Sequence, residues 1–130
     1  MRHEFHIPVS VGEVIDKITI LEIKQGRITD PAKLANIHTE FEALQSALQS
    51  LNWHLPDLSD LKAELLQINT ALWEIEDDIR ECERQKNFDL HFVALARSVY
   101  RSNDERSCIK RKINELSGSA IVEEKSYKAY

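Results

Sequence analysis

Residues 99–114, "VYRSNDERSCIKRKIN", place Ser102, Asn103, Arg106 and Lys110 in a stretch whose apolar spacing is otherwise that of an amphipathic helix. Arg106 falls on the apolar seam itself, so its side chain is expected to point inward. A guanidinium in a core, unpaired, is destabilising by several kcal/mol, and it therefore needs an anion. The nearest unspent carboxylates belong to the first helical segment, at Asp16 and Glu22. Two readings follow. In one, Arg106 with Asn103 and Lys110 pins the register of a helical bundle through a buried pair to Asp16 or Glu22. In the other, these three residues, with Lys17 or Lys24, line a polar cavity that receives a small anionic metabolite such as a nucleotide or sugar phosphate.

A second cluster, "LWEIEDDIRE", sets Glu74, Asp78 and Glu81 on one helical stripe with Asp77 alongside. Carboxylates at that spacing hold Mg²⁺ when another helix supplies more oxygen. The facing stretch brings Arg97 and Arg101 instead, which would neutralise the acids and repel a metal. Trp73, one residue past the seam position Leu72, reads as a core or interface aromatic, with a stacking platform as the alternative. The five histidines lack metal-ligand spacing, and no catalytic triad pattern or glycine-rich phosphate loop is present, so no metal or cofactor is called for.

The elements that position these groups are helices. Ser10 and Glu13 form a capping-box pattern that starts the first helix, over 10–25, with Gly26 expected as its left-handed stop. Asp30-Pro31 begins the second, over 31–51, with Leu34, Ile37, Phe41, Leu44, Leu48 and Leu51 spaced by alternating threes and fours. The third, over 57–86, carries Leu58 to Cys82 in the same alternation, a coiled-coil seam of about four heptads. The fourth, over 89–117, is capped by Asp89, closed by Gly118, and carries the seam that breaks at Ser102 and Arg106. Joined by a short turn, the last two helices must lie antiparallel, which sets residue i of one opposite roughly 175 − i of the other. Arg106 then lies beside Ile68, Asn69 and Leu72, Arg101 near Glu74, and Arg97 near Asp77 or Asp78. The first two helices are too short to cover the long pair, so a second copy of the chain is expected to bury the remainder in a homodimer. The flanks "EFHIPVS" and "SAIVEEKSYKAY" read as short extended arms, the last six residues frayed.

The chain has 130 residues, three glycines and three prolines, a composition for one helical domain, 1–130. No stretch reaches the roughly 18 apolar residues of a membrane span, and the start lacks a signal-peptide core, which points to a cytoplasmic protein without membrane contact. A net charge of −5 argues against nucleic-acid binding. The charge is uneven: between Asp57 and Glu81 eight acids face two bases, and between Arg97 and Lys112 six bases face two acids. The two helices are thus expected to act as each other's counterion. Cys82 and Cys108 have no metal or redox spacing and read as free thiols.

The blocks "IPVSVGEVIDKITILEIKQGRI", "LWEIEDDIR", "ARSVYRSNDERSCIKRKIN" and "IVEEKSY" resemble those of an uncharacterised bacterial family of short helical proteins, a domain of unknown function. The likeness spans nearly the whole chain. It implies that Ser10, Glu13, Asp16, Lys17, Glu22, Lys24, Trp73, Glu76, Asp77, Arg97, Tyr100, Asn103, Asp104, Arg106 and Glu123 to Tyr127 occupy motif positions, and it brings no activity with it. Fold class is therefore all-α, an antiparallel helical bundle with a long coiled-coil-like hairpin. Unbroken heptads and the lack of a nucleophile favour a non-catalytic interaction or scaffolding protein with a possible protein partner; the alternative is a small enzyme or sensor for an anionic metabolite.

Overall fold

The computed structural model describes residues 2–130. Four helices follow in order: α1 (Val11–Arg27), α2 (Pro31–Gln49), α3 (Ser59–Gln85) and α4 (Leu90–Ser117), with one 3-10 turn at Asn52–His54 before α3. The fold is all-α, and no described residue is in a strand. No helix among the described residues is long and apolar enough to cross a membrane.

Helix starts follow their capping residues. The Ser10 hydroxyl accepts from the Glu13 amide at 3.1 Å, and the Asp30 carboxylate accepts from Lys33 N at 2.9 Å with Pro31 in the first turn. Asp89 accepts from the His91 and Phe92 amides. The reciprocal half of the Ser10 capping box is absent, because the Glu13 carboxylate is turned to Lys110 Nζ at 2.6 Å.

The expected stops are partly corrected. Gly118 closes α4 in the left-handed region at φ 67°. Gly26, expected to do the same for α1, lies inside the helix; α1 runs to Arg27 and leaves through Ile28 in extended conformation. The direct, extended passage into Asp30-Pro31 needs no left-handed residue there. α2 ends at Gln49, and α3 begins at Ser59. Asp57, expected to open α3, instead stands outside it and accepts from Ser59 N.

α3 and α4 form the antiparallel hairpin, joined through Lys86 in the left-handed region. At 27 and 28 residues each is about 40 Å long. α1 packs on both of them and on α2, and α1 is the one long helix whose backbone α2 approaches closely among the described residues. This central position explains why α1 is apolar on more than one face: Ile15, Ile18, Leu21 and Ile23 are all buried. The core gathers Ile15, Leu65, Ile109 and Ile113, with Leu48 and Leu58 packed against it. Beyond α1 the hairpin is only two helices thick, and Ile75, Ile79, Phe92 and Leu95 are half-buried.

The counterion arrangement expected between α3 and α4 does not form among the described residues. Acids of α3 pair within their own helix, as in Glu76 with Arg80 and Glu81 with Arg84, and Glu74 takes Arg27 of α1. Arg97 and Arg101 sit two residues past seam positions Leu95 and Val99. That is about 200° round the helix and away from the seam.

The terminal arms form no strand pairing. Residues 2–9 are exposed and belong to no helix or strand. The last residues, expected to fray, fold back along α4, where Lys125 Nζ and the Tyr130 hydroxyl both donate to Asp104, at 2.8 and 2.9 Å. Those two donors hold the Asp104 carboxyl below the usual range.

Candidate functional site

α1 runs down α4 in antiparallel contact, one turn at a time. The Gly12 amide donates to Asn114 Oδ1 at 2.7 Å, Lys110 donates to Glu13, and Arg106 donates to Asp16. The approach is close because position 12 has no side chain. A Cβ there would lie 2.7 Å from the Lys110 carbonyl oxygen. With Val11 N held by Ser119 Oγ and Glu13 N by Ser10, the first amides of α1 are satisfied by the protein's own side chains. That helix end has no free donors to offer an anion.

One turn further, Asp16 is sealed, with 1% of its side chain exposed. Arg106 Nε donates to its Oδ1 at 2.9 Å and Nη2 to its Oδ2, a side-on bidentate pair. Asn69 Nδ2 donates to Asp16 Oδ1 at 2.8 Å and to Thr19 Oγ1 at 2.9 Å, and the Thr19 hydroxyl donates to the Asp16 carbonyl oxygen. No buried side-chain polar atom among the described residues lacks a partner. The hydrogen bonds to Asp16 raise the Arg106 proton affinity, and they outweigh the opposing effect of burial. Asp16, not Glu22, thus meets Arg106; Glu22 pairs with Lys62 at 2.9 Å.

Lys110 forms a second charged node, between Glu13 and Glu123 at 2.6 and 3.5 Å. Burial alone would raise the Glu13 carboxyl, but the Lys110 hydrogen bond and charge overcome it and leave the pKa lowered.

Arg106 is not wholly spent. Of its side chain, 29% remains exposed, and Nη1 lies 3.5 Å from Asn103 Oδ1. Both residues line a groove of about 510 Å³ between α1, α3 and α4. Its apolar wall is Ile20 and Ile23 of α1, Leu72 and Trp73 of α3, and Val99 of α4; its charged groups besides Arg106 are Glu76, Asp77 and Arg80. The volume is within the usual range for small-molecule sites, about 300–1,000 Å³.

The residues expected around an anion are thereby divided. Arg106 and Asn103 line the groove, and Asp16 stands behind Arg106. Lys110 is occupied a turn away, Glu22 is held by Lys62, and Lys17 is exposed. Lys24 is half-buried, and neither it nor Lys17 lines the groove. The Mg²⁺ stripe is split, since Glu74 accepts from Arg27 and Glu81 from Arg84. Among the described residues no group of three or more His, Cys, Asp or Glu is placed to hold a metal ion.

Sequence reasoning missed Thr19, the role of Asn69, and the groove's outer residues. Some signal existed: Asp16 and Thr19 share a helix face at i, i+3, and antiparallel pairing had put Asn69 beside Arg106. Trp73 had been weighed as a stacking platform, and the resemblance set Trp73, Glu76 and Asp77 in motif positions, but that they meet α1 depends on where α1 crosses the hairpin, and Arg80 gave no signal.

No curated protein and no solved structure matches the chain. Residues 5–130 match the family described as Family of unknown function (DUF6165). A match over nearly the whole length, on a chain whose α1, α3 and α4 all contribute to one polar node, places this protein in that family.

Proposed function

We propose that the protein binds a small anionic metabolite in the groove between α1, α3 and α4, with Arg106 as the anchoring cation and Asn103 beside it. One observation carries this reading. Arg106 is gripped along its Nε–Nη2 edge by a sealed carboxylate while its Nη1 end borders an open groove with an apolar wall. A guanidinium held in this way loses little side-chain freedom when an anion arrives, which favours binding. Ligand binding to the folded state alone raises stability by about 2.7 kcal/mol at one hundred times Kd. Thermal unfolding against a panel of phosphate, pyrophosphate, carboxylates and phosphorylated metabolites tests it. A rise of several degrees with at least one anion is expected, lost in Arg106→Lys and reduced in Asn103→Ala, both checked for folding by circular dichroism. A flat panel, or shifts that persist in both variants, would refute it.

A second reading, a homodimeric interaction module, rests on a different observation. Phe5 and Ile7 of the N-terminal arm are 98% and 71% exposed, and Leu90 at the hairpin tip is 85% exposed. Phe5 and Ile7 stand two residues apart on one exposed arm, and contiguous apolar patches, unlike single exposed side chains, mark surfaces that a partner covers. Sedimentation equilibrium is expected to give twice the 15.0 kDa chain mass, falling towards one chain in a Phe5→Ser, Ile7→Ser variant. A monomer at all concentrations would exclude it.

A further inference from the structure

The groove's lining narrows the kind of anion it suits, an inference that rests on the binding reading above. Its charged groups are two acids, Glu76 and Asp77, and two bases, Arg80 and Arg106. Glu76 and Arg80 lie 3.5 Å apart and largely answer each other. Arg106 in turn is partly neutralised by Asp16 behind it. What remains facing a ligand is one guanidinium end and, on α3, the Asp77 carboxylate. A di- or triphosphate would bring two or more further negative charges towards Glu76 and Asp77, where like charges repel. One anionic group is what this site can neutralise.

The rest of the lining specifies the ligand's body. Trp73 is half-buried on the groove wall, with Leu72, Ile20, Ile23 and Val99 making the remaining apolar surface. Such a wall suits a flat or ring-shaped body packed against the indole. Carboxylates accept hydrogen bonds and donate none, so Glu76 and Asp77 suit a ligand rich in hydroxyls, while Asn103 offers an amide donor and Asn69, its two N–H bonds spent on Asp16 and Thr19, does not. We infer that the groove takes a hydroxylated ring compound carrying a single oxyanionic group, its anion on Arg106, its ring on Trp73 and its hydroxyls towards Asp77.

Fluorescence tests this directly. The chain has two tryptophans, and Trp53 is 80% exposed in the turn between α2 and α3, so Trp53→Phe leaves Trp73 as sole reporter. Probes are glucose 6-phosphate, glucuronate and AMP, against inorganic phosphate, glucose and ATP. The expected result is that at least one of the first three changes Trp73 emission and binds tenfold or more tightly than phosphate, glucose or ATP. By calorimetry, Asp77→Asn should weaken that probe severalfold and Trp73→Leu should abolish the preference for it over phosphate. Binding of inorganic phosphate that depends on Arg106, with no preference for any ring compound, would overturn this inference and leave the binding reading standing. ATP binding as tightly as AMP, or glucose as tightly as glucose 6-phosphate, would overturn it too. No binding by any probe or by phosphate would remove both.

Discussion

Truncating Arg106 leaves the Asp16 carboxylate sealed with only Asn69 to answer it. Breaking a buried pair from one side destabilises by about 3–5 kcal/mol, whereas replacing both partners by apolar groups of similar volume is often neutral or better. Arg106→Met and Asp16→Leu are therefore each expected to lower the unfolding free energy measured in urea by an amount in that range, and the double variant to recover at least half of the summed loss. Strictly additive losses would show that the two side chains do not act as a pair. The need for this pair was legible, because an arginine on an apolar seam demands a carboxylate. Which carboxylate was not. Asp16 and Glu22 are six residues apart, about 9 Å along α1 and about 240° round it, and only the crossing of α1 over the hairpin decides between them.

Between elements, the close approach of α1 to α4 turns on the absence of one methyl group. In Gly12→Ala the new Cβ would meet the Lys110 carbonyl oxygen at 2.7 Å and Asn114 Oδ1 at 2.9 Å. Backbone on α4 cannot swing aside as a side-chain tip can, so a loss of about 1–3 kcal/mol is expected from overpacking. Gly26→Ala is the control. It lies in the same helix with no atom within 4 Å, and it should gain about 0.5–1 kcal/mol. Equal effects in thermal unfolding would mean that the close approach of α1 to α4 is not what requires Gly12. Sequence reasoning had singled out the wrong glycine, since the local pattern favours a stop at Gly26 and the demand on Gly12 comes from a helix about a hundred residues away. Caps, heptads and the hairpin were readable for the opposite reason: each depends on neighbours within a turn or on one short connection.

For the molecule as a whole, the acidic third helix and the basic fourth helix suggested a pair bound by charge, and that expectation failed on geometry. The seam brings apolar residues of α3 and α4 together, while Arg106, Lys110 and Arg111 of α4 turn to α1 and to the returning tail, as Lys110 does to Glu13 and Glu123. α1 is the element that joins everything, and its start is held by Asn114 and Ser119 from the far end of the chain. This has a consequence in time. On the ribosome α1 emerges first, yet the arginine that answers Asp16 is made 90 residues later. At about 5–20 residues per second, that is a wait of roughly 5 to 20 s. Throughout it the most deeply buried helix of the four has only α2, and then α3, to shelter against, so the last of the four to be synthesised is the one that commits the first.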